Sequence, residues 1–304
     1  MKKRWLVNLL LLVVLASLVA FLYLKPKNTA SSNAQYEVST FKLAEFDTVN
    51  VEFPAKAGVS FKKVNNFWMM TAPNAARADQ VAVQRILSII AAKSENKIEA
   101  TDSATLDKFG LNNPAIKLSL VRPDSSKETF LFGTHNPVND EQYVLHNNAV
   151  YLLENIYAEA AETQLIEMFD KTPFKPTEKI RGFDFTHLEQ WESTRLNLDL
   201  VDGKWVASIK EAKPNQNELN EWLDFSWLNN PAKSLELYTP DQKVKVPSFI
   251  IKMQDGSKVK FDKVQESPEL LLGRPDEGIL YHYPSDAGFS MLNPPLNLPT
   301  SPAK

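Results

Sequence analysis

The chain has no cysteine among its 304 residues. That excludes disulfides, thiolate nucleophiles, cysteine-ligated metals and a lipid-modified N-terminal cysteine. Glycine is scarce, with 9 residues against 19 prolines. No GxGxxG, Walker A or GxSxG spacing occurs, so the usual phosphate loops and serine elbows are missing. The four histidines, His135, His146, His187 and His282, are scattered. No two stand at i, i+4, and the order His187-Leu-Glu-Gln-Trp departs from HExxH. The sequence therefore predicts no catalytic residue, no metal ligand and no cofactor. Basic charge is also short outside the N-terminus. Lys2, Lys3, Arg4, Lys25 and Lys27 lie in the first 27 residues without an acid, so the remainder is more acidic than the net −3 of the whole. An acidic body lacks the footprint that nucleic-acid binding requires.

What is present begins with an uncharged apolar run, Trp5 to Leu24. As a helix it would span about 30 Å, the hydrocarbon thickness of a bilayer. The run is longer than the apolar region of a cleaved signal, and the nearest small-residue site, Ser32-Asn33-Ala34, lies well beyond it. Residues 1–24 are expected to be an uncleaved signal anchor with a cytoplasmic N-terminus, by the excess of Lys and Arg before the run. Polar residues 25–35 read as a tether, and the bulk of the chain as extracytoplasmic.

The rest reads as a duplication. Val59 to Met70 (VSFKKVNNFWMM) alternates about Asn65-Asn66, residues that tolerate the positive φ of a tight hairpin turn. Leu196 to Ala207 (LNLDLVDGKWVA) repeats it about Asp202-Gly203, with Trp205 in the place of Trp68 at an offset of 137. The same offset aligns Phe46-Asp47 with Phe183-Asp184 and sets Leu188 to Glu192 against the first strand. After each hairpin comes a helix. One is capped by Asp79 and runs to about Lys93; the other is capped by Asn217, with Leu219, Leu223 and Trp227 in the places of Ala82, Ile86 and Ile90. Further hairpins turn at Asp124-Ser125, Asn147-Asn148 and Asp255-Gly256. A short helix ends in a Schellman motif at Gly110-Leu111. The predicted fold is α+β: two tandem antiparallel meanders, 36–172 and 177–292, each with a helix on one face, then a Pro-rich disordered tail, 293–304.

Trp68 and Trp205 are expected in the two cores. Trp222 and Trp227, five apart on an ordinary helix, are too far round to share a face, which leaves one partly exposed. Trp222, Tyr281, His282 and Tyr283 are thus the candidate contacts for a partner or ligand.

With these residues laid out, the chain resembles the bacterial membrane-anchored family known as domain of unknown function 4340. The resemblance rests on the anchor, Trp68 to Pro73 leading to Ala78-Asp79, FGLNNP at Phe109 to Pro114, and FLFG at Phe130 to Gly133. YVL at Tyr143 to Leu145 and VYLL at Val150 to Leu153 complete it. It covers residues 40–170 well and the second unit more loosely. It implies an accessory protein of gliding-motility-type ABC transporters in the bacterial inner membrane, single-pass, and offers no catalytic residues. The expected function is non-enzymatic binding of an envelope partner. Alternatives are an extracytoplasmic glycan- or peptide-binding module and a hydrolase with an unrecognised carboxylate site.

Overall fold

The structure, a computed structural model, describes residues 35–99, 102–241 and 243–299. The expected anchor, nearly all of the tether and the end of the tail lie outside these. None of the described helices is long and apolar enough to cross a membrane.

The first unit runs β1 (Tyr36–Glu37), β2 (Thr48–Glu52), β3 (Val59–Val64), β4 (Phe67–Ala72), β5 (Ala76–Arg77), α1 (Gln80–Leu87), β6 (Lys93–Ser94) and β7 (Lys97–Glu99). It continues through α2 (Ser103–Lys108), β8 (Ile116–Val121), β9 (Lys127–Asn136), β10 (Glu141–His146), β11 (Ala149–Glu154) and α3 (Ile156–Glu162). The second comprises β12 (Ile180–Asp184), β13 (Asn197–Val201), β14 (Lys204–Ala207), α4 (Gln216–Trp222), β15 (Ser234–Leu237), β16 (Ser248–Met253), β17 (Lys258–Gln265), β18 (Glu269–Arg274), β19 (Ile279–Pro284) and α5 (Ser285–Leu292).

Two large antiparallel sheets result, with the order β5-β4-β3-β2-β8-β9-β10-β11-β7 in one and β14-β13-β12-β16-β17-β18-β19-β15 in the other, while β1 and β6 pair separately as a two-stranded sheet. Strand for strand the orders correspond, except that β5 has no counterpart. The architecture is α+β. The hairpin turns form for the reason the sequence offers: Asn65, Asn66, Asn147, Asn148, Asp202, Gly203 and Gly256 all have positive φ. The α2 stop is a Schellman motif, with Leu111 N–H donating to Leu106 O at 2.8 Å and Gly110 N–H to Asp107 O at 3.0 Å.

The register of the repeat differs from the expected one. Trp68 pairs with Lys63, and Trp205 with Leu200, so the hairpins do correspond at 137. Phe61 pairs with Val49 and Leu198 with Phe183, however, so Phe183 stands at the place of Val49. The Phe46-Asp47 and Phe183-Asp184 match is therefore coincidental. Leu188 to Glu192 forms no strand; it holds a 3-10 turn, Glu189–Trp191, in a longer connection that absorbs the slip. The second helix is capped by Asn215, whose side chain accepts from Asn217 N–H, and not by Asn217. Shifting the helices to 136 sets buried Val83 and Ile86 against buried Leu219 and Trp222, which is the pairing the cores require.

That shift reveals a device shared by both units. The Gln80 side chain accepts from Trp68 N–H at 2.9 Å and donates to Trp68 O at 3.1 Å. Gln216 does the same to Trp205, at 2.6 and 3.0 Å. Each helix thus begins with an amide that serves one residue of the hairpin as a neighbouring strand would. In the second unit this occupies backbone groups on the edge strand β14, an edge otherwise open to pairing.

Gly133 lies within β9 and Gly273 within β18, strands that do not correspond in the two sheet orders, and both leave space for a neighbour. A Cβ at Gly133 would collide with the carbonyl of Phe109; at Gly273 it would collide with the ring of Tyr238. The tail also departs from expectation: Leu296 is buried, Lys213 N–H donates to its carbonyl at 3.1 Å, and Asn297 donates to Glu218 at 3.1 Å. Residues 293–299 are docked on the second unit.

Candidate functional site

Sequence places Arg77 and Arg274 on strands whose other side chains build the core, and both are buried. A buried guanidinium is tolerated only when its donors are satisfied. Arg274 uses every one: Pro173 O (2.6 Å), both oxygens of Glu178 (3.0 and 2.7 Å) and both of Asp276 (3.1 Å each). Arg77 reaches from the first unit into the connection and the second unit. It binds Asp170, Thr172 O (2.6 Å), Phe174 O (2.8 Å), Tyr281 Oη (3.0 Å) and both oxygens of Glu277 (3.0 and 3.2 Å). Tyr281 then donates to Glu277 at 3.0 Å. Between these groups runs Phe174, packed against Trp227 and Phe261, which carries the connection into the second core.

The electrostatics follow from this geometry. Burial would lower the pKa of Arg77, but Glu277 and Tyr281 more than offset it and hold it above its usual value. Burial would raise Glu178, yet the Arg274 hydrogen bonds and the Lys175 N–H keep it below the usual carboxylate range. Burial pushes the Tyr281 and Tyr283 phenols up. Glu178, held ionised chiefly by Arg274, and the Tyr281 and Tyr283 phenols, held neutral by burial, lie at this joint between the units.

The sequence-derived contacts meet different environments. Trp222 and Trp227 are only 5% and 0% exposed. The helix continues past α4 as a π turn over Leu223–Leu228, and i→i+5 bonding returns residues five apart toward one face. The expected partly exposed tryptophan is therefore absent. Tyr281 and Tyr283 point to the core from alternate positions of β19. His282, on the opposite face, lies 3.5 Å from Glu236 and 3.6 Å from Glu269. These four residues do not line a common groove.

The buried tryptophans have a structural task. An α-helix ends in four carbonyls without partners. At the end of α5 all four are taken by side chains: Phe289 O by Asn293 (2.8 Å), Ser290 O by Trp222 (2.6 Å), Met291 O by Trp227 (3.1 Å) and Leu292 O by Trp191 (2.9 Å). The Ser226 and Ser290 hydroxyls bond at 2.7 Å. The π turn and α5 are thus locked together, yet the residue preceding each serine is left in solvent. Phe225 is 74% exposed and Phe289 68%, above every other aromatic among the described residues. Sequence periodicity missed Phe225, since its phase assumed an ordinary helix, and Phe289 to Leu292, which reads as a strand, belongs instead to the helix α5.

Two open clefts flank the loop after β15. One, of about 730 Å3, holds Tyr238, Val244, Lys260 and Asp262. The other, of about 720 Å3, holds His187, Glu189, Arg195 and Lys245. Tyr238 donates to Asp262 at 3.0 Å; partial desolvation and that carboxylate push its pKa up to about 12. Lys260 meets the other Asp262 oxygen at 2.7 Å. Both clefts are wide and mixed in charge. Among the described residues no three His, Asp or Glu side chains converge as a metal site would need.

No curated protein matches the chain, and no solved structure does. Residues 68–263 match the family described as Domain of unknown function (DUF4340), a span that takes in the return strand of the first tryptophan hairpin, the whole of the second, both capped helices and Arg77, and the chain belongs to that family.

Proposed function

We propose that this protein is a non-enzymatic accessory subunit of a bacterial envelope complex, anchored in the inner membrane by residues 5–24. Its two extracytoplasmic units bind another protein, an assembly of the ABC-transporter type implied by the family resemblance. The observation that carries the reading is a contrast. The buried ionisable groups at the joint of the units are consumed in holding that joint, while the two most exposed aromatics sit on a rigid pair of helical turns. An exposed apolar patch on a stiff element suits protein contact better than chemistry. The glycan-platform alternative loses its basis, because Trp222, Tyr281 and Tyr283 are buried.

The test is deletion of the chain followed by native electrophoresis of the membrane-embedded transporter. An accessory role predicts loss of the intact assembly at unchanged subunit synthesis; full assembly would refute it. Anchoring is tested separately, by N-terminal sequencing of membrane-extracted protein, where a mature start near Gln35 would show a cleaved signal instead.

A further inference from the structure

The Phe225–Phe289 face carries a charge pattern that specifies its partner. The segment from Pro214 to Ala232, which holds α4 and the π turn, contains Glu218, Glu221 and Asp224 and no Lys, Arg or His. The segment from Tyr283 to Ala303, which holds α5, contains Asp286 and again no base. Glu218 is engaged with Asn215 and Asn297. Glu221, Asp224 and Asp286 are exposed beside the two phenylalanines, together with Leu228 at 41%. Acids elsewhere, such as Glu52, Glu167, Asp199 and Glu269, are each paired with a lysine.

We infer that Phe225, Leu228 and Phe289 form a docking site for a basic amphipathic segment of another protein. Its apolar side chains would cover the phenylalanines, and its Lys or Arg would meet Glu221, Asp224 and Asp286. Charge complementarity selects this occupant over two others. A second copy of the same face would set acid against acid. An anionic membrane surface would repel it, since lipid-binding helices ring their apolar side chains with Lys and Arg. The face is also preorganised: the tryptophan-capped carbonyls and the Ser226–Ser290 bond fix both backbones, and Gly288 lets α5 lie so close to Leu270 that a Cβ would collide with it. Little ordering remains to be done on binding. The inference rests on the partner-binding reading above but does not depend on the partner being a transporter.

Site-specific photocross-linking in cells tests it. Benzoylphenylalanine replaces Phe225 or Phe289 in the full-length chain at native expression, with Val138, an exposed turn residue, as control. The expected result is a protein adduct from both positions and not from the control, mapped by peptide sequencing to a segment rich in Lys or Arg alternating with apolar residues. Its yield should fall about fivefold or more with E221Q/D224N/D286N, as the loss of three exposed charge contacts implies. An adduct with a second copy of this chain, a lipid adduct, no adduct at all, or a yield indifferent to the charge removal would each overturn the inference. A basic segment belonging to a protein other than a transporter leaves the docking site standing and removes the transporter reading. A transporter that co-purifies without cross-linking at 225 or 289 does the reverse.

Discussion

Arg77 and Glu277, two hundred residues apart in the chain, meet as a two-point ion pair, Nε to Oε1 at 3.0 Å and Nη2 to Oε2 at 3.2 Å. One belongs to the edge of the first sheet and the other to the turn between β18 and β19 of the second, so the pair defines how the units are joined. Removing one partner strands the other charge in a buried setting. R77A should therefore destabilise the protein by about 3–5 kcal/mol. In a double-mutant cycle with E277Q the two changes should be less than additive, with a coupling of about 1–3 kcal/mol. Denaturant titrations of the four proteins measure it; strict additivity would mean the pair does not hold the joint.

Acid should loosen the same joint. Glu178 is held below the carboxylate range in the folded protein. Its contribution is complete above its unfolded value of about 4.5 and is lost as pH falls through the lower folded value. Melting temperature should therefore fall steeply below pH 4.5, and E178Q should begin lower and show a shallower acid limb. A parallel acid limb in E178Q would contradict the assignment.

The paired glutamines should prove equivalent. Q80A and Q216A each release the backbone N–H of a hairpin tryptophan residue, and Q216A its carbonyl as well, whereas Trp68 O keeps the Ala78 N–H at 3.2 Å. Each should cost about 1–2 kcal/mol, at the scale of lost hydrogen bonds in partly buried positions. Hydrogen exchange at the amides of Trp68 and Trp205 should quicken in the respective variant; unchanged exchange would refute the clamp.

Trp227 supplies a cleaner hydrogen-bond test. W227F keeps most of the ring but leaves Met291 O buried and unpaired, so it should cost about 1–3 kcal/mol beyond the small loss of volume. Equal stability of wild type and W227F in thermal unfolding would show that the carbonyl finds another partner.

Crowding at Gly133 is a further test. Alanine there meets the Phe109 carbonyl, a backbone atom that can move only by shifting the FGL turn. G133A should cost about 1–3 kcal/mol, as overpacking does. Exchange at residues 103–111 should rise locally; a rise spread evenly over the first sheet would argue against the local contact.

The sequence was informative where structure is decided within a few residues. Hairpin turns at Asn65-Asn66, Asn147-Asn148 and Asp202-Gly203 declare their positive φ locally, and Gly110-Leu111 declares its helix stop. The duplicated hairpin was legible for the same reason. Strand register was not, because it depends on a connection of different length in each unit, and Phe183 consequently aligns with Val49 instead of Phe46. The tryptophan face was misjudged because a π turn changes the helical phase without a local residue signature. Arg77 and Arg274 escaped notice because their partners lie far along the chain. The glutamine clamps had a signal in Asp79-Gln80 and Asn215-Gln216, hidden by placing the second cap two residues late.

We propose that this protein serves as a bound subunit of a transporter assembly. Cross-linking in intact membranes at native expression, followed by affinity purification of the full chain and identification of what accompanies it, tests that most directly. The expected result is recovery of the membrane-spanning and ATP-binding subunits of one ABC-type transporter, and of this chain when those subunits are purified in turn. Recovery of no transporter subunit, over several cross-linker lengths, would contradict it.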